Sequence, residues 1–127
     1  MRLLLDSTIL IDVLRGDDES LRLLDEAASA GHELTVSAMN LGEVYGGMRR
    51  GEEAFTHEFL QRLVCFPVTS SIAERAGRMK NDAARKGKTV GLADMIIAVT
   101  ALEYGLTVVT DNRKDFKIAG VPFYPSN

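Results

Sequence analysis

Residues 3–16, LLLDSTILIDVLRG, read as a short apolar strand that turns at once into a helix. Leu3, Leu4 and Leu5 do not alternate with polar residues. Both faces of such a strand are covered, as in a parallel sheet packed between helices. Asp6 stands at the junction, and Gly16 stops the helix.

The same alternation continues outward from this stretch. DDESLRLLDEAASAG (17–31) is a second helix, with acids in its first turn and Gly31 after its end. ELTV (33–36) is strand-like. Ser37 can cap a third helix, which carries Glu43 and ends near Gly51. EEAFTHEFLQRL (52–63) has helical spacing, with Phe55, Phe59 and Leu63 on one face. VCFPV (64–68) is another strand, and Pro67 places it at an edge or a strand end. Ser71 and Glu74 have the spacing of a capping box that opens a helix to about Lys86. Gly87 to Val90 form a loop, and a nearly all-apolar helix follows from about Leu92 to Tyr104. LTVVTD (106–111) is a strand, and VPFYP (121–125) is expected to be one more. Strands alternating with helices predict an α/β fold with a parallel sheet covered on both faces. The 127 residues fit one domain, 1–127, with no internal repeat or linker.

Composition narrows the function classes. The chain is 46% hydrophobic and 26% charged, as expected of a globular protein. Its net charge of −3 gives no global field to hold nucleic acid. Local basic runs exist at Arg49-Arg50, at Lys80 with Arg85, Lys86 and Lys88, and at Arg113-Lys114 with Lys117. They are either phosphate contacts or solvated surface. The single cysteine, Cys65, cannot form an internal disulfide and is expected to fill core. No apolar run approaches a membrane span. The chain opens on its first strand, with no signal peptide ahead of it, and the expected compartment is cytoplasmic.

The chemistry lies in the carboxylates. Asp6 ends a strand where open α/β sheets bind ligands, and it can equally cap the following helix. Asp94 sits in the first turn of an otherwise apolar helix. There it complements the helix dipole, but a buried carboxylate also needs a partner. Glu43 lies too deep in its helix to be a cap and faces either the site or solvent. Asp111 and Asn112 follow the strand 106–111 and are either turn residues or part of the same crevice. Asp12 reads as a solvated or capping group. His32 and His57 are isolated, and no His/Cys spacing suggests zinc. Acids gathered without His or Cys point to Mg2+ or Mn2+. No phosphate-binding glycine loop or G-x-S-x-G elbow is present.

Four segments in order resemble a PIN domain, and most closely the VapC-type toxin ribonucleases of toxin–antitoxin pairs. LLLDSTILIDVLRG resembles the family's opening, matching Asp6 to its first acid. SAMNLGEVYGGMRRG (37–51) matches Glu43 to the second, and GLADMIIAVTALEYGLTVVT (91–110) matches Asp94 to the third. TVVTDNRKDF (107–116) resembles the last block, which reads Thr, any residue, Asp or Asn, then an Asp-Phe pair. On that pattern Asn112 takes the fourth position, with Asp111 as its substitute. Where the family often has Asp-Thr-Asn at its first motif, this chain has Asp6-Ser7-Thr8.

The resemblance implies a PIN-like three-layer sandwich with a central, mostly parallel sheet flanked by helices. It implies hydrolysis of RNA, with transfer RNA a family-level substrate, using Mg2+ (or Mn2+). Asp6 and Asp94 would hold the metal, and Glu43 would act through water. Asn112 or Asp111 would hold a second ion or a water, and Ser7 and Thr8 would support the acids. It also implies a homodimer and a cognate VapB-type antitoxin. The alternative is a catalytically silent PIN-like module binding RNA or protein, motivated by the uncharged Asn112 and by Thr8. A phospho-accepting receiver domain is disfavoured, because LLLDST and FPVTSS lack the acids that it needs.

Overall fold

The computed structural model describes residues 1–126. Four short strands, β1 (Arg2–Leu5), β2 (Glu33–Ser37), β3 (Val64–Phe66) and β4 (Thr107–Val109), form one sheet in the order β3-β2-β1-β4. Every neighbouring pair is parallel. Parallel neighbours need long crossovers, and helices supply them. Helices α1 (Ser7–Leu14) and α2 (Asp18–Ser29) join β1 to β2. Helices α3 (Ala38–Gly46) and α4 (Glu53–Gln61) join β2 to β3, and α5 (Ser70–Arg85) and α6 (Leu92–Tyr104) join β3 to β4. A single turn, α7 (Arg113–Phe116), and a 3-10 turn, Lys117–Ala119, follow β4.

Successive strand residues point to opposite faces, so β1 serves two cores. Leu3 and Leu5 pack with Ile9 of α1, Leu24 of α2, Val44 of α3 and Leu60 of α4. Leu4 packs the other way, with Ile97, Ala98 and Ala101 of α6 and with Phe116. The result is the expected three-layer sandwich. Helix α6 lies between the sheet and α5, whose Ile72 and Ala76 pack on Met95 and Val99. This double cover explains why α6 is apolar all round: every residue from Met95 to Ala101 is buried.

Several local expectations are corrected. Helix α3 stops at Gly46, capped by Gly47, and not near Gly51. Gly51, at φ +88°, makes the turn before α4 instead. On α4 the inward face is Thr56 and Leu60, while Phe55 is exposed and Phe59 and Leu63 are half-buried. Leu60 faces the core and brings Thr56, four residues earlier, with it. Phe55 lies about 100° round the helix from Thr56 and points outward. Thr69, not Ser71, caps α5, because its extended backbone aims the hydroxyl at Ile72 N, 3.1 Å away. Cys65 is exposed and not core, since β3 is a three-residue edge strand on which Val64 is exposed too. Residues 121–125 form only a single parallel bridge, Val108 to Phe123. Pro122 and Pro125 lack the N–H groups that would extend it.

Candidate active site

The strand order positions the site. From β1 the chain moves to β2 and then β3 in one direction, and β4 is placed on the other side of β1. The connections part at the carboxyl ends of β1 and β4, which is where open α/β sheets bind ligands. Asp6 and Thr110 are the residues immediately after those two strands. Asp6 N–H donates to Val109 O at 2.9 Å, and Thr110 Oγ1 donates to Asp6 Oδ2 at 2.7 Å.

Asp6 is both a cap and a buried acid, so the two readings of it are compatible. It is 4% exposed, and its Oδ1 accepts from Ser7 N–H at 2.8 Å at the start of α1. Two hydrogen-bonded branches lead away from it. In one, Ser7 Oγ donates to Glu43 Oε1 at 2.6 Å, and Asn40 Nδ2 donates to Ser7 Oγ at 3.0 Å. Asn40 is fully buried and closes a capping box with Ser37 at the start of α3. One asparagine thus sets the helix start and steadies the serine that holds Glu43. In the other branch, Asn112 N–H donates to Thr110 Oγ1 at 2.9 Å, and Asn112 Nδ2 donates to Asp115 Oδ2 at 2.7 Å. Thr8 is exposed and contributes only a long contact to Asp6, at 3.4 Å.

Asp94 completes the group from α6. Gly91 starts that helix without a side-chain cap, which puts Asp94 in its first turn. Partial burial, followed by the charges of Asp6, Asp115 and Glu43, pushes its carboxyl from 3.8 up to about 6. Acids from three other segments therefore act electrostatically on Asp94.

The sequence expectations divide here. Asp6, Glu43 and Asp94 come together. Asp111 does not join them. It is exposed and lines a different cleft with Asp12, Asp17 and Arg22. Asn112 is half-buried and serves as donor to Asp115. Asp115 is the acid that the sequence reading missed, although the Asp-Phe pair of the last motif was its signal: Phe116 is fully buried and anchors α7. Asn40 and Thr110 were missed as well.

The donor set suits a hard divalent cation. It offers carboxylate oxygens only. His32 meets the N-terminus and Tyr124, and His57 meets Tyr45, so both histidines have partners elsewhere. Burial and then three neighbouring acids disfavour the charged form of Asp94, and such an ion would favour it. Among the described residues no three acid, imidazole or thiol groups form a ready-made cage. Mg2+ does not require one, since it keeps several waters and binds through one or two carboxylates.

Comparison with known proteins places this geometry in a family. The PIN-domain profile matches residues 3–121. The chain is 36% identical to ribonuclease VapC10 of Mycobacterium tuberculosis over 110 residues, which cover 87% of this chain and 82% of that protein. It is 30% identical to ribonuclease VapC19 of the same organism over 122 residues, covering 96% and 94%. Among solved structures, DNA-bound VapBC from Salmonella typhimurium superposes with a TM-score of 0.79 at 28% identity, covering 95% of each chain. This chain therefore belongs to the PIN-domain family and, within it, to the VapC proteins.

Proposed function

We propose that this protein is an endoribonuclease that hydrolyses RNA phosphodiester bonds with Mg2+ or Mn2+, the toxin half of a VapBC-type pair. The observation that carries this reading is the convergence of Asp6, Glu43 and Asp115 through hydrogen-bonded residues at the ends of β1 and β4, with Asp94 close enough for their charges to raise its carboxyl. The two ribonuclease relatives support the reaction class, and the VapBC structure supports a VapB-type antitoxin as partner. Transfer RNA is the substrate proposed within that class. A homodimer and a cytoplasmic setting complete the proposal. Among the described residues no helix is long and apolar enough to cross a membrane.

Asp6 and Asp94 would hold the cation directly, and Asp115 takes the fourth corner first given to Asn112 and Asp111. Bound there, the ion would polarise the scissile phosphate and make water a competent nucleophile at neutral pH. The remaining work belongs to the protein. Thr110 and Ser7 N–H fix both oxygens of Asp6. Ser7 holds Oε1 of Glu43, which leaves Oε2 to orient the attacking water and take its proton. Asn112 orients Asp115. The silent-module alternative rested on the uncharged Asn112 and on Thr8; the charge of Asp115, held by Asn112, argues against the first of these.

The test is incubation of the purified protein with total transfer RNA, with Mg2+ and with EDTA. Cleavage is expected only with metal, and Asp94→Asn is expected to remain folded and inactive. Full cleavage by that variant would overturn the proposal.

A further inference from the structure

A protein of net charge −3 that gathers four acids at its site repels the polyanion it is proposed to cut. The chain must therefore attract the strand locally. The structure brings two of the basic runs to one place. Lys88 and Thr89, from the loop before α6, face Lys114, Lys117 and Ile118 across a cleft of about 500 Å3 whose remaining wall is Asp115. Asp115 therefore belongs both to the acid group and to the wall of this cleft.

The lysine side is prepared for an anion. Lys88, Lys114 and Lys117 are exposed, and among the described residues none of them is in an ion pair. The loop carrying Lys88 is anchored at both ends. Gly87 turns it with φ +78°, and Lys88 N–H donates to Ala83 O at 2.9 Å. Lys80 Nζ donates to Val90 O at 2.9 Å, and Val90 is buried. Lys80 thus has a structural task, and Lys88 has none apart from its charge. On the facing side, buried Phe116 fixes the turn that carries Lys114 and Lys117.

We infer that the Lys88–Lys114–Lys117 cleft binds the RNA backbone phosphate next to the scissile one. This rests on the ribonuclease reading and adds to it a direction for the strand. A phosphate neighbouring the acids is driven away from them, and the cationic cleft that Asp115 walls is where it comes to rest. Lysines suit this role because they meet phosphate as point charges and do not read the base.

The test uses the full chain and a 5′-fluorescein-labelled 12-nucleotide oligouridylate, with binding followed by anisotropy in EDTA between 50 and 200 mM salt. The triple variant Lys88→Gln, Lys114→Gln, Lys117→Gln is compared with the native chain and with Lys86→Gln, an exposed lysine outside the cleft. Unchanged circular dichroism certifies the fold. The triple variant is expected to bind at least about tenfold more weakly. Its log–log salt slope should be shallower by ~0.7, the value for the one phosphate that the lysines no longer neutralise. The Lys86 variant should match the native chain. Equal binding by the triple variant, an equal loss in Lys86→Gln, or no binding by the native chain overturns the inference. Cleavage of transfer RNA by the native chain in Mg2+ is scored separately. Its absence defeats the ribonuclease reading, whereas cleavage with an unaltered KM in the triple variant defeats only the cleft.

Discussion

Replacing Asp94 by Asn isolates the cost that the acid cluster imposes when no cation is bound. Its carboxyl is raised from 3.8 to about 6, first by burial and then by Asp6, Asp115 and Glu43. Between those pH values the folded protein holds a proton that the unfolded chain has released, so stability falls as pH rises through the window. Below 3.8 the group costs nothing, and above about 6 the cost is complete. At ~1.4 kcal/mol per pH unit the full displacement corresponds to roughly 3 kcal/mol. The side chain is only partly buried, and solvent screening removes about half of that. The carboxylate also gains ~0.5 kcal/mol from the helix dipole, which Asn forfeits. The metal-free variant should therefore be about 1 kcal/mol more stable than the native protein above pH 7.

Urea unfolding in EDTA, followed by circular dichroism, measures this directly. With a denaturant slope of ~2 kcal/mol per molar, the midpoint of Asp94→Asn should lie about 0.5 M higher at pH 7.5. The gap should narrow at pH 4.5, where the native carboxyl is mostly protonated. Mg2+ should then reverse the order. At ten times its dissociation constant it adds about 1.4 kcal/mol to the native protein and less to the variant. Equal midpoints at both pH values, or a variant less stable than the native protein at pH 7.5 in EDTA, would refute the reasoning. Either result would mean that the three neighbouring acids do not press on Asp94.

Four further substitutions probe the site. Asp115→Asn should lower kcat for RNA cleavage by about 100-fold or more, as expected for loss of a site carboxylate, while Asp111→Asn stays within about threefold; the reverse order would return the fourth corner to Asp111. Thr110→Val keeps the shape but removes the donor to Asp6, so Mg2+ affinity read by calorimetry should fall about tenfold, and native affinity would show that Asp6 needs no support. Asn40→Ala removes the buried acceptor of Ser37 N–H and Oγ–H and the donor to Ser7 Oγ, and should cost about 1–3 kcal/mol by urea unfolding, with a lower kcat as Ser7, which holds Glu43, loses its steadying amide; unchanged stability would mean that water replaces the amide.

How far the fold could be read in advance depended on where its forces are local. Leu3, Leu4 and Leu5 declare a strand covered on both faces, because no polar residue interrupts them. The run Met95–Ala101 declares a helix buried on all sides for the same reason. Glycine marked the end of α6 correctly, since Gly105 sits at φ +66° after Tyr104. Errors came where a tertiary contact chose between local options. Ser71 had the spacing of a cap, but the extended backbone at Thr69, two residues earlier, starts α5 there. The aromatic spacing of α4 pointed to Phe55, Phe59 and Leu63, but the helix turns Leu60 and the polar Thr56 inward. Cys65 is apolar in its sequence surroundings but lies on an edge strand, and strand order is a property of the whole chain.

The acid cluster shows the same division in its chemistry. Asp6, Glu43 and Asp94 are each surrounded by small or apolar residues, which raises the cost of an unpaired charge enough to notice in the sequence. Asp115 has lysines and arginines as neighbours in the chain, so it looks like ordinary solvated surface. What makes it a site acid is Phe116. Burying that ring fixes a one-turn helix, which directs the residue before it toward Asn112 and into the field that raises Asp94. Asn112, neutral and nearer to the strand end than Asp115, occupies the position that the motif points to without supplying the charge. Its amide instead joins Thr110 to Asp115, so the fourth carboxylate is tied through two hydrogen-bonded residues to the first. The last motif is therefore tied together by an asparagine that orients an aspartate, and that link is visible only in the folded chain, because spacing alone does not connect Asp115 to Asp6.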